Sequence, residues 1–120
     1  MSDPTPLDDT KLLADTRDAL VERWNVRPDA GGDWDILLEA LAERILGLLQ
    51  NNPGRLFSAL YVLDISERVS SEAMAAHKMP DQARALAKAI LDRETQKIAT
   101  RRRYAAPQQP PEIEGPGLQT

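Results

Sequence analysis

Arg93, Lys97 and Arg101 recur every fourth residue, and Arg102 and Arg103 follow directly. On a helix this spacing places the first three on one stripe. Arginine forks match the oxygens of phosphate groups, so the five residues form a candidate anion-binding or partner-binding site. A local explanation competes with that one. Cations in a last helical turn complement the negative end of the helix dipole and bond its free carbonyls. A second constellation is Tyr61, Asp64 and Glu94. Tyr61 and Asp64 lie three residues apart, on one face of a helix. Glu94 falls between Ile90 and Ile98, beside an apolar face. A carboxylate buried there needs a partner, for which Arg55 and Arg68 are the candidates. These three residues read as a polar cluster fixing helix register rather than as catalytic groups.

Other chemistry finds little support. There is no cysteine and a single histidine, His77. His77 stands five residues after Glu72, and Glu-x-x-His is the spacing that aligns two ligands on one helical face. No metal site and no cofactor is expected. The close acidic pairs Asp8 and Asp9, Asp33 and Asp35, and Glu39 and Glu43 read as helix caps and solvated faces. Acid–base catalysis needs one carboxyl in an apolar pocket and a second kept ionised. No nucleophile elbow, P-loop or dinucleotide glycine pattern is present. The chain is read as non-enzymatic.

The elements that must position these residues follow from hydrophobic periodicity. Thr5–Pro6 resembles a cap with proline at the first helical position. Leu12, Leu13, Leu20, Val21 and Trp24 then give an amphipathic helix over about 6–25, with Asp15, Asp18, Glu22 and Arg23 opposite. Residues 26–32 break helix through Pro28, Gly31 and Gly32, and Asp33 is a cap for the next element. Residues 33–50 are the most apolar segment. Apolar over most of its circumference, it belongs at the centre of a bundle. Gly47 either admits a close helix neighbour or merely costs about 1 kcal/mol of propensity.

Asn52–Pro53 repeats the cap-then-proline device and opens a short helix, about 53–64, with Leu56, Phe57, Leu60, Leu63 and Tyr61 on its buried side. Ser66 caps another, about 67–77, whose thin apolar face is Val69, Ala73, Met74 and Ala76. The longest helix runs from Asp81 to Tyr104. Its inward residues are Ala83, Leu86, Ala87, Ile90, Leu91 and Ile98. The resulting fold class is all-α: a small bundle of about five helices over residues 5–104, with a disordered N-terminus at 1–4. The stretch 105–120 holds four prolines and two glycines and reads as a disordered Pro-rich tail.

Charge is divided unevenly. Residues 1–50 carry 11 acids and 5 bases, whereas residues 51–106 carry 6 acids and 10 bases, within a chain of net charge −4. The halves attract each other within a fold, or else the basic half faces an anionic partner. The overall acidity and the scarcity of aromatics make nucleic acid the weaker alternative. No run approaches the ~18 apolar residues of a membrane span, and the acidic start lacks signal-peptide character. The expectation is a cytoplasmic protein with no membrane partner, acting as a protein-interaction or assembly module through an unknown protein partner or self-association.

The segments LYVLDISE (60–67) and DRETQKIATRRRY (92–104) are similar to those of a family of short, uncharacterised bacterial all-helical proteins. In that family a Leu-Tyr-x-x-Asp segment precedes a final helix rich in Glu-Arg-Glu and Gln-Lys. The likeness covers about half the chain, and Arg93-Glu94-Thr95-Gln96-Lys97 departs mildly from the pattern. It implies a helical fold and no known activity, and it implies that Tyr61, Asp64, Arg93, Glu94, Gln96 and Lys97 belong together.

Overall fold

Three of the helices start where a short polar side chain takes up a free backbone N–H group. In the computed structural model, which describes residues 5–27 and 33–105, five helices follow one another: α1 (Thr5–Trp24), α2 (Trp34–Asn51), α3 (Pro53–Val62), α4 (Glu67–Met74) and α5 (Met79–Ala105). No strand occurs among the described residues. The Asp33 carboxylate accepts from the Ile36 N–H at 2.8 Å and starts α2. Ser66 Oγ accepts from the Val69 N–H at 3.2 Å and starts α4. Asn52 serves two helices. Its N–H closes α2 on the Leu48 carbonyl at 2.7 Å, and its side chain accepts from the Arg55 N–H at 3.3 Å to open α3. Residues 1–4, 28–32 and 106–120 lie outside the described residues, and so do the expectations placed on them.

The helix α5 packs against α1, α2 and α4. Ala83, Leu86, Ala87 and Ile90 are fully buried along it, with Leu91 and Ile98 nearly so. Both α1 and α2 run antiparallel to α5. Asp15 pairs with Arg102 while Trp24 reaches Glu94, and Trp34 lies near Thr95 while Glu39 pairs with Arg84. The hydrogen bond from Glu39, and then its charge, raise the Arg84 guanidinium above its ordinary value. The core is completed by Leu37, Leu41 and Ile45 of α2, Leu20 of α1 and Leu56 of α3, all fully buried.

Three expectations need correction. Periodicity places Phe57 and Tyr61 on the buried side of α3, yet both are exposed, Tyr61 to 84 %. A ten-residue helix lying on α2 covers one stripe, formed here by Leu56, Leu60 and Leu63, and residues 57 and 61 sit about 100° round from it. The last helix begins at Met79, because Pro80 is accommodated in its first turn, where a missing N–H costs nothing. The fourth helix ends at Met74; Gln82 Nε2 donates to the Met74 and Ala76 carbonyls at 3.1 and 3.0 Å, closing the joint to α5.

Gly47 on α2 makes no close approach, since a Cβ built there meets nothing within 4 Å. Its effect is therefore one of propensity alone. Gly47→Ala is expected to stabilise the fold by about 0.5–1 kcal/mol, read as a higher urea midpoint at unchanged slope. A loss of stability would show that the helix needs the glycine for some other reason.

Candidate functional site

Glu94 is 2 % exposed, and burial of a carboxylate demands donors. The principal donor is Trp24, whose indole Nε1 donates to Glu94 Oε2 at 3.0 Å. Arg23 Nη1 stands 3.8 Å from Oε1, close enough for charge attraction but too long for a hydrogen bond. Neither Arg55 nor Arg68 takes the role foreseen for it. Arg68 pairs with Glu72 one turn away on α4. The helix-end geometry of α1 explains the choice. Asn25 has φ 60°, a left-handed conformation common at helix C-termini. The exposed Trp24 carbonyl there accepts from Arg44 Nε at 3.0 Å. Trp24 is thereby fixed at both ends, by α2 through its carbonyl and by α5 through its indole.

A second polar knot forms at the end of α3. Ile65 N–H bonds the Leu60 carbonyl and Asp64 N–H bonds the Tyr61 carbonyl, each at 3.0 Å, with Asp64 at φ 71°. This is a Schellman ending in which aspartate occupies the left-handed position usual for glycine. Arg93 secures it. Its Nε donates to the Leu63 carbonyl at 3.1 Å, Nη1 to Gln96 Oε1 at 3.1 Å, and Nη2 lies 3.5 Å from Asp64 Oδ2.

The polar cluster expected of Tyr61, Asp64 and Glu94 is therefore divided. Asp64 and Arg93 meet, Glu94 turns to α1, and the Tyr61 hydroxyl has no hydrogen-bond partner among the described residues. The physical reason is the helical step of about 100° between Arg93 and Glu94, which directs adjacent residues to different neighbours. Of the six residues that the family likeness groups together, Asp64, Arg93 and Gln96 meet in one knot.

The basic stripe is divided too. Arg93 is held as above, and Arg102 pairs with Asp15 of α1. Lys97 is half-buried, while Arg101 and Arg103 are exposed. Arg101 and Arg102 line an open groove of about 800 Å³ whose other wall carries Asp15, Asp18 and Glu22 of α1. At this groove the acidic first half and the basic second half face each other within the chain. Thr16, a polar residue that periodicity alone does not single out, is fully buried, with its hydroxyl 3.4 Å from that of Thr95.

His77 is exposed. Among the described residues no three metal-ligating side chains come together, and no helix is long and apolar enough to cross a membrane. The sequence matches no family model, no curated protein and no solved structure.

Proposed function

We propose that this chain is a non-enzymatic, cytoplasmic protein-interaction module that self-associates through the outer face of α3. The observation that carries the reading is the uncharged, aromatic character of that face. Tyr61 is 84 %, Val62 79 % and Phe57 37 % exposed. Phe57 and Tyr61 stand one turn apart, and α3 has Arg55 as its single charged residue. Exposed large apolar side chains, here Phe57 and Tyr61 one turn apart, mark contact sites. A second copy is the fitting occupant. In a two-fold contact each patch meets its own image, which places like charges together on any face of one sign. The chain as a whole is at −4 and so repels its copies, while the α3 face does not.

Support also comes from the division of Tyr61 from Glu94: Tyr61 is exposed, whereas Glu94 is buried against Trp24. The split basic stripe supports the same reading over nucleic-acid binding, because Arg93 and Arg102 already serve internal acceptors.

A helix of ten residues spans about 15 Å, so its face is smaller than the roughly 800 Å² per partner of a standard interface. The association is accordingly weak and concentration-dependent. Sedimentation velocity over a wide concentration range should show dimer growing with concentration. Tyr61→Glu should leave monomer throughout, and Tyr61→Phe should behave as the wild type. A wild type that stays monomeric at the highest concentrations would refute self-association.

A further inference from the structure

Against Trp24, the partner of the buried Glu94, lies a small cleft of about 40 Å³ into which three helices each contribute an arginine: Arg23 from the last turn of α1, Arg44 from α2 and Arg55 from α3. Leu48 and Ala59 supply the apolar part of its lining. Three cations around so small a space repel one another, and the buried Glu94 carboxylate stands near one of them, Arg23. That carboxylate is already bonded to Trp24 and lies 3.8 Å from Arg23.

The donors are also in surplus. A guanidinium carries five N–H groups. Arg44 uses its Nε on the Trp24 carbonyl, which fixes the side chain and leaves its two terminal nitrogens without an acceptor among the described residues. The Arg55 side chain has none at all among them. Guanidinium groups brought by three separate helices to one small space, one of them held by the Trp24 carbonyl, are an arrangement that a multiply charged oxyanion completes.

We propose that this cleft binds a phosphate group. At about 40 Å³ the cleft exceeds the ~10–15 Å³ that a cavity needs to hold one water, so one small anionic group enters and anything bulky attached to it stays outside. The site differs from the α5 stripe and does not depend on self-association. A phosphate here bridges α1, α2 and α3, and its source is either free phosphate or a small phosphate monoester.

Arg55→Ala tests the assignment, because Arg55 is exposed and its side chain supports no other group in the described structure. Inorganic phosphate and phosphoserine are titrated separately into the full chain, followed by calorimetry and by tryptophan fluorescence, since Trp24 borders the cleft. Arg68→Ala, which removes the same charge on α4, serves as the control, and circular dichroism verifies the fold of each variant. The expected result is saturable phosphate binding that weakens about tenfold in Arg55→Ala and is unchanged in Arg68→Ala. Binding of both ligands identifies the phosphate group as the recognised element; binding of inorganic phosphate alone identifies the free ion. Absence of binding, or equal weakening in the two variants, overturns the proposal.

Discussion

Trp24→Ala is expected to lower stability by about 3–5 kcal/mol, the range for removing a large buried aromatic side chain. Trp24 is 6 % exposed and is the main donor to a carboxylate that is 2 % exposed. Its loss leaves a cavity and also leaves Glu94 with only the distant Arg23. A domain of this size has about 5–15 kcal/mol in total, so the variant forfeits a large share of it. At about 4–8 °C per kcal/mol, the melting temperature falls by more than ~10 °C. The companion variant Trp24→Phe separates the two contributions. It keeps an aromatic ring but removes the N–H, and a hydrogen bond to a charged group is worth about 1.5–3 kcal/mol. Urea unfolding of both variants measures the difference. If Trp24→Phe lies within about 0.5 kcal/mol of wild type, the range of an ordinary surface change, the indole–carboxylate bond is not what holds α1 to α5.

The second large effect is expected at Ile90. This side chain is fully buried on α5, one turn before Glu94, on the helix that packs against α1, α2 and α4. Ile90→Ala should cost about 2–5 kcal/mol and Ile90→Val about 0.5–1.5 kcal/mol, because removal of methyl and methylene groups loses transfer free energy and opens a void. Lys88→Ala, on the exposed side of the same helix, should stay within about 0.5 kcal/mol. The graded series distinguishes a packed core from a loose one, in which neighbouring groups collapse and the three variants converge. Denaturant midpoints at constant slope provide the measurement.

The parts of this fold that are local were legible in the sequence. Asp33, Asn52 and Ser66 could be assigned as caps because a cap bonds a backbone N–H only two or three residues ahead. The apolar surplus of 33–50 placed α2 in the core for a similar reason, since periodicity records how much of a helix is covered. What covers it is another matter. Glu94 was recognisable as a group in need of a partner, yet that partner, Trp24, is 70 residues away. Nothing in the spacing of either residue encodes which helices become neighbours. Arg93 shows the same gap. Its four-residue relation to Lys97 suggested an outward stripe, whereas its contacts are set by where α3 ends. Tyr61 and Phe57 were mistaken for core because α3 has more apolar residues than α2 can cover. Mismatches of that kind are where surface function is to be sought.

The position of α5 in the chain has a consequence for biosynthesis. The helix that packs against α1, α2 and α4 is the last of the five to be made. Its bonds to α1 join residues 70 to 87 positions apart, so they close only after nearly the whole bundle has been translated. Between the end of α2 at Asn51 and the end of α5 at Ala105, a ribosome moving at about 5–20 residues per second takes roughly 3–10 s. Throughout that interval the most apolar segment of the chain lacks its main partner, and chaperones of the nascent chain have a defined stretch, residues 33–50, to hold.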